Sequence, residues 1–440
     1  MRKRIINFIN SSKAYPILTG IASGLYPLLY YYNANFTLVN SWIQLAFFIV
    51  LFILFPACVF FVISIIVNNH DGLKKYYIRI LTVFNLGWFS FVILLITIGL
   101  RNKILFIIIS LLAVALGIVV YKQLKKIVVF QFLLAFIGLT LLIPNLVKHI
   151  TYSKEWIEQP DDILNVKFEK SPNIYMIQVD GYANFSELDK GYYNFDNTNF
   201  NEYLKDSGFK LYEDYRSNYY STLSSNSSML GMKNHYYNAP KKGVNELYNS
   251  RDIIVGKNPV VSIFKNNNYK THLILEKSYL LVNRPKLEFD YCNIDFSEIS
   301  YLARGFEVEK DVIDDLELVM SNNAATNNFY FIEKISPGHV PTYNWASKGK
   351  ELDRIGYLDK LQSTNTWLKD LIAKIEEKDS NSLIIISADH GGFVGFNYTL
   401  ETEIKQTDRD LIYSIFTSTL AIKWNGKPPE FDDEFKTPVN

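Results

Sequence analysis

Between residues 14 and 70 the sequence has no Asp, Glu, Lys or Arg. A stretch that long cannot form the surface of a water-soluble domain, where charged side chains are normally frequent. Cysteine is nearly absent as well. The 440 residues include 2, Cys58 in an apolar run and Cys292 in the polar half. Residues in two different phases are poor partners for a disulfide, and two isolated thiols cannot build a cysteine-based zinc cluster. Excess charge of either sign is also missing: 45 basic and 44 acidic residues leave +1, which excludes nucleic acid as a partner recognised by overall charge. The 30 Tyr and 31 Phe form no repeat that would make a base-stacking platform. A mean hydropathy of +0.03 averages two solvents, lipid first and water later, because charges become frequent only after about residue 151.

Five apolar segments stand out, at residues 14–32, 39–67, 80–100, 104–120 and 127–147. Roughly 20 apolar residues cross a hydrocarbon core as a helix, with ~17 as the lower limit. Backbone groups in lipid must bond within their own segment, so these are helices and not open strands. The basic residues before the first segment suit a signal peptide, but no small-x-small cleavage site follows, and further spans come after it. The expectation is a transmembrane bundle of five helices in residues 1–150.

Lys and Arg set its orientation. Arg2, Lys3, Arg4 and Lys13 precede the first span; Lys74, Lys75 and Arg79 lie in the second loop; Lys122, Lys125 and Lys126 lie in the fourth. The first loop, at 33–38, has none, and the third has Arg101 and Lys103, a mild exception. The positive-inside rule puts the N-terminus in the cytoplasm, and an odd number of crossings puts everything after Lys148 outside. Tyr30, Tyr31 and Tyr32 suit the outer interfacial belt. No charge sits inside any span, which favours an anchor or lipid-substrate platform over a transport path.

Residues 151–171 read as a linker. Beyond them short apolar runs alternate with helical patterns. Strands are expected at 173–179, 269–275, 328–335, 382–387 and, more weakly, 419–423. Leu358, Leu361, Leu368, Leu371, Ile372 and Ile375 make one helical face over 358–375. This alternation predicts an α/β sandwich with a mainly parallel sheet, whose ligands sit beyond the carboxyl ends of the strands.

Two strand ends carry chemistry. Asp180 and Gly181 follow the first strand, and Asp389, His390, Gly391 and Gly392 follow the fourth. Carboxylates and an imidazole delivered to one sheet edge can hold a divalent cation. Taken singly, Asp180 reads equally well as a helix N-cap and the Asp-His pair as a turn.

PNIYMIQVDGYAN and LIIISADHGG resemble the first and last signature blocks of the alkaline phosphatase superfamily, among sulfatases, lipoteichoic acid synthases and phosphoethanolamine transferases. YLDKLQSTNTWLKDLIAKI, before the last strand, is similar to a segment of sulfatase-like membrane proteins. The ordered blocks extend from about Pro172 to Asn440. The resemblance implies an alkaline phosphatase-like α/β sandwich in 172–440, placed outside the cell (inner) membrane on the periplasmic side. Relatives usually continue past the end of this chain, so a truncated or a short member is expected.

In those families a Thr, Ser or modified Cys nucleophile lies between the two blocks, often with serines three and six residues later. SNYYSTLSSNSSML supplies Thr222, Ser225 and Ser228 at that spacing, with Ser221, Ser224 and Ser225 as alternatives to Thr222. A neutral hydroxyl is a poor nucleophile and needs a cation or base, and a helix N-terminus favours an incoming phosphate. ISPGHVPTY resembles a phosphoethanolamine transferase segment, by which His339 would contact the substrate phosphate or protonate the leaving oxygen. Relatives carry a further His upstream, where this chain has Glu333 and Lys334, so one metal site is expected and not two. Its ligands would be Asp180, Thr222, Asp389 and His390. Mn²⁺ or Mg²⁺ suits mostly oxygen ligands, and Zn²⁺ is an alternative. Arg216 and Asn218 precede Thr222 and are expected to bind substrate phosphate.

Sulfatases of this kind need Cys or Ser followed by x-Pro-x-Arg, whereas Thr222 is followed by Leu223, Ser224, Ser225 and Asn226. The expected activity is therefore metal-dependent transfer of a phosphoryl-linked group, of phosphoethanolamine or phosphoglycerol type. The donor would be a membrane lipid, and the acceptor a surface glycan or lipid. The alternatives are an extracytoplasmic hydrolase on the same site and a non-catalytic envelope scaffold.

Overall fold

A computed structural model describes residues 2–97, 103–152, 155–235, 249–323, 327–403 and 406–429. The chain divides into two compact units, Met1–Tyr152 and Ser153–Asn440.

The first unit is helical. Besides the short helix Arg2–Asn10, its longer elements are Pro16–Ala34, Trp42–Asn68, Tyr77–Thr97, Lys103–Val119 and Leu124–Thr151. Among the described residues, three helical runs are long and apolar enough to cross a membrane: Trp42–Asn68, Tyr77–Thr97 and the run that contains Leu124–Thr151. Lys103–Val119 is apolar but has only 17 residues. Pro16–Ala34, diluted by Thr19, Ser23 and its tyrosines, is not among the three. The sequence reading of five spans is thus matched by helices, but fewer of them meet the length and apolarity a crossing needs. Residues 98–100 of the third expected span, and Arg101, lie outside the described residues.

Three sequence features set the packing of this unit. Pro56 has no N–H to give to Phe52, and the helix passes the gap through a π turn, Val50–Leu54, in which the Phe55 N–H bonds to Val50 O. Gly20 and Gly24 stand one turn apart on Pro16–Ala34 and meet that place. A Cβ at Gly24 would lie 1.5 Å from Phe52 O, and one at Gly20 2.8 Å from Ala57 Cα. Such small residues let helix backbones approach in an apolar solvent. Asn85 and Gln131 exchange two side-chain hydrogen bonds of 3.0 and 2.9 Å, and Asn85 also donates to Thr19 O, so three helices share one buried polar knot.

The second unit has a seven-stranded sheet among its described residues: β1 Ile174–Val179, β2 Lys210–Leu211, β3 Lys270–Leu275, β4 Tyr291–Cys292, β5 Asn328–Lys334, β6 Leu383–Ala388 and β7 Leu420–Lys423, in the order β2-β7-β6-β1-β5-β3-β4. β6, β1, β5, β3 and β4 are parallel; β7 is antiparallel to both its neighbours, β6 and β2. The five expected strands are present within about a residue, whereas the two-residue β2 and β4 were not expected. On one face Tyr175, Ile177, Ile332, Ile384 and Ile386 pack against Leu361, Leu368, Leu371, Ile372 and Ile375 of helix Lys350–Lys378. On the other, Leu273, Phe329 and Phe331 pack with Leu223 and Leu230 of helix Thr222–Gly231 and Val261 of Pro259–Asn266. Burial on both faces is why the central strands read as continuous apolar runs. Residues 155–171 lie against this unit: Gln159 donates to Gly231 O at 3.0 Å, and the Phe168 N–H donates to Asn267 Oδ1 at 2.9 Å.

Candidate active site

The parallel register brings the strand-end residues together. Val179 of β1 stands opposite Ala388 of β6, so Asp180 and Asp389 are the next residues on adjacent strands. Gly181 follows at φ +68°, where a Cβ would lie 2.0 Å from Gly338 O, a conformation and an approach that favour glycine. The Gly338 N–H donates to Asp180 O at 2.8 Å, and the Val340 N–H donates to Gly392 O at 3.0 Å. These two bonds clasp the loop bearing His339 onto the loops bearing Asp180 and His390.

Thr222 opens helix Thr222–Gly231, capped by Ser221 in extended conformation. Its Oγ1 lies 3.5 Å from Asp180 Oδ1 and 3.5 Å from His390 Nε2. His390 Nε2 lies 3.4 Å from Asp180 Oδ1 and 3.4 Å from Asp389 Oδ2. Asp180, Asp389 and His390 are buried, whereas Thr222 is half-buried and accessible. Four expected site residues, drawn from three separate places in the chain, thus meet at one point.

The donor set fits a divalent cation. Ligand atoms of Asp180, Asp389 and His390 all lie within 4.8 Å of one another. Asp389 Oδ1 accepts from the Gly181 and His390 N–H groups at 3.0 Å each, while its Oδ2 is buried without a hydrogen-bond partner. Such an orphaned carboxylate oxygen is costly unless something positive faces it. His390 Nδ1 donates to Gly391 O at 2.8 Å, which in the neutral ring leaves the Nε2 lone pair directed at the two carboxylates, as in metal-ligating histidines.

Burial pushes both carboxyl groups above their ordinary range, only partly offset by His390. Burial alone would lower the His390 imidazole, but Asp389 and Asp180 beside it carry it upward. His339 lies with its ring 5.9 Å from that of His390 and 5.7 Å from that of Phe393, and its Nδ1 donates to Val340 O at 2.6 Å. Burial, then the neighbouring His390, pushes His339 down to about 4. At neutral pH the free site therefore holds a neutral His339.

The other expected residues make contacts of their own. Arg216 is exposed, with its guanidinium 5.6 Å from the Tyr413 ring centroid and its backbone bridged to Thr417. Asn218 is half-buried in the turn before the helix. Ser225 bonds to Ser217 and Tyr219 O, and Ser228 to Lys233 O, so both serve the helix and its flanks.

Three buried polar residues, Asn226 of the Thr222 helix and Gln178 and Glu333 of the strands, were given no role by the sequence reading. Gln178 Nε2 donates to Asn226 Oδ1 at 2.5 Å, tying the helix to β1 two residues before Asp180. Gln178 also stands opposite Glu333 of β5 in the sheet register. Glu333 is 1% exposed, and neither carboxylate oxygen has a partner. Burial, then Asp180, Asp389 and Glu276, hold it well above the ordinary range. A polar residue ending an apolar strand run was the available signal.

No protein-family model and no curated protein sequence matches the chain. Solved structures similar to it include the C-terminal periplasmic domain of EptC from Escherichia coli in complex with Zn, with 14% identity, 61% of this chain and 80% of that chain covered, and a TM-score of 0.39. The integral membrane lipooligosaccharide phosphoethanolamine transferase A of Neisseria meningitidis is similar over 92% of this chain and 88% of its own, at 13% identity and a TM-score of 0.38. A phosphonate monoester hydrolase from Silicibacter pomeroyi is similar over 60% of this chain and 69% of its own, at 14% identity and a TM-score of 0.43.

Proposed function

We propose that the chain is a membrane-anchored phosphotransferase of the sulfatase-like group, moving a phosphoryl-linked head group from a membrane lipid to a surface glycan or lipid. The observation that carries this reading is the meeting of the Thr222 hydroxyl with Asp180, Asp389 and His390 at the carboxyl edge of the sheet. Asp180, Thr222, Asp389 and His390 would hold a divalent cation, Mn²⁺ or Mg²⁺ in preference to Zn²⁺, which would supply positive charge to the hydroxyl and the phosphate.

The Thr222 oxygen attacks the donor phosphorus, and its proton passes to Asp180, whose Oδ1 lies 3.5 Å away. The bond from phosphorus to the lipid alcohol breaks, and that oxygen leaves with a proton from His339. The anionic phosphodiester counters the burial that otherwise keeps this imidazole neutral. A phosphorylated Thr222 results. In the second half, His339 takes the proton of the incoming hydroxyl, the acceptor oxygen bonds to phosphorus, and the bond to Thr222 breaks. The Asp180 proton returns to Thr222. Arg216 and Asn218 would steer the phosphate on entry. With water as acceptor, the same steps make a hydrolase.

The test is transfer of label from a radiolabelled phospholipid by the full chain. Wild type should transfer, and Thr222→Ala should lose turnover by at least ~10³-fold while keeping its fold. Thr222→Ser should retain part of the activity. Full activity in Thr222→Ala would move the nucleophile to Ser221, Ser224 or Ser225.

A further inference from the structure

The charge balance of the whole chain hides an asymmetry. Residues 1–152 hold thirteen Lys and Arg but a single acidic residue, Asp71. Asp71 is already paired with Lys74 at 2.8 Å. The other cations of this unit therefore have no carboxylate of their own unit to neutralise them, and several converge on one cavity.

That cavity has a volume of about 400 Å³ and lies where the segment after Arg2–Asn10 passes the start of helix Leu124–Thr151. Asn10, Ser11, Tyr15, Lys122, Lys125 and Lys126 supply its polar wall. Lys125 is held over it entirely by neutral groups. Its ammonium donates to Ser11 O and to Ser11 Oγ, and stands 5.8 Å from the Phe8 ring and 5.9 Å from the Tyr15 ring. Three lysines with hydroxyl and amide residues around one void make an array of donors that lacks an acceptor with negative charge. A tendency of Lys and Arg to collect on one side of a membrane explains which end of the bundle they occupy. It does not explain their convergence with Ser11 and Tyr15 on a cavity.

The geometry points to a phosphate-binding site here, and we propose that its occupant is the phosphate of an anionic lipid head group. The size suits such a group, and lysines with hydroxyls and amides are what a phosphodiester requires. The adjoining helix favours a lipid over a free phosphate ester. Arg2–Asn10 places Ile5 and Ile6, 36% and 45% exposed, beside Arg2, Lys3 and Arg4. A short helix with an apolar side and a basic start lies in a head-group layer, so the cavity would open where lipid phosphates are concentrated. This site is separate from the Thr222 cluster and does not depend on the activity proposed for it.

Native mass spectrometry of the detergent-purified full chain tests the proposal, with phosphatidylglycerol competing against phosphatidylcholine, and with inorganic phosphate and glycerol 3-phosphate as soluble probes. Wild type should retain phosphatidylglycerol saturably and in preference. Lys122→Gln/Lys125→Gln/Lys126→Gln should weaken that retention about 100-fold, roughly fivefold for each lysine. Lys74→Gln/Lys75→Gln, which removes charge elsewhere in the same unit, should leave it unchanged, as should the charge-conserving Lys125→Arg. Equal retention of the two lipids by wild type overturns the proposal, and that result needs no variant to fold. An equal loss in Lys74→Gln/Lys75→Gln overturns it too, since attraction would then be diffuse. Displacement of the lipid by millimolar glycerol 3-phosphate would uphold a phosphate site and overturn the lipid as its occupant.

Discussion

Asp389 has the clearest individual signature: one oxygen fixed by two backbone N–H groups, the other buried and unpartnered. Asp389→Ala removes a ligand and should abolish metal retention, read as metal content of the purified protein by elemental mass spectrometry; unchanged content would refute the site. Since burial raises Asp180 and Asp389, protons compete with the cation for these oxygens, and binding should release protons and weaken as pH falls from neutral to about 5. Titration calorimetry in buffers of different ionisation enthalpy reads that release directly, and no release would contradict it. Glu333 makes the opposite kind of demand. Its folded pKa lies above 4.5, so below that pH the carboxyl is neutral in both states and costs nothing. As pH rises, the unfolded chain loses the proton while the folded chain keeps it, and stability declines until the folded pKa is passed. Glu333→Gln is neutral throughout. It should match wild type near pH 4 and exceed it at neutral pH, by about 1.4 kcal/mol for each pKa unit by which folding raises the group. A gap that does not change with pH in thermal unfolding would show that ionisation of Glu333 is not the cause.

At the scale of elements, the helix that begins with Thr222 is held by polar contacts along its buried length, and the contact from Gln178 to Asn226 is the one that reaches β1. Asn226 lies one turn beyond Thr222, so this bond fixes the helix against the strand that presents Asp180. Gln178→Leu and Asn226→Leu should each lower turnover about 10- to 100-fold with KM little changed, because a small displacement of an attacking atom is costly. The double variant should be no worse than either single one, since one bond can be lost only once. Additive losses, or unaltered amide exchange over residues 222–231, would rule out the clamp. Such contacts depend on register between distant strands, and for that reason they were not legible. Asp180 and Asp389 were, because each follows an apolar run that both faces of a parallel sheet bury. The long helix was legible from Leu358 but begins at Lys350, since its first turns are mostly charged and leave Leu352 and Ile355 exposed. β2 and β4, two residues each, carry no pattern.

For the whole molecule the question is which side of the membrane the Thr222 site faces, and the helices make it sharper than the sequence did. Five crossings or three both place the C-terminal unit opposite the N-terminus, because both numbers are odd. They differ in the loops. With five, the loop after Pro16–Ala34 is outside and the loop before Tyr77–Thr97 is inside; with only the three runs long and apolar enough, those two sides exchange. Under the three-crossing topology Lys74 and Lys75 would be outside, against the usual bias of basic loops. The Lys-free loop near residue 36 would be inside. The basic residues thus favour five, with Pro16–Ala34 and Lys103–Val119 crossing despite their composition and length, aided by the close approach at Gly24 and the polar knot at Asn85. Reporter fusions decide between them. An alkaline phosphatase fused after Thr37 should be active, after Gly72 inactive, and after the final residue active, with fluorescent-protein fusions giving the reverse. Activity after Gly72 together with silence after Thr37 would establish three crossings and leave the Thr222 site outside. A silent fusion at the C-terminus would place that site in the cytoplasm, remove the surface glycan as acceptor, and with it the transfer reaction proposed here.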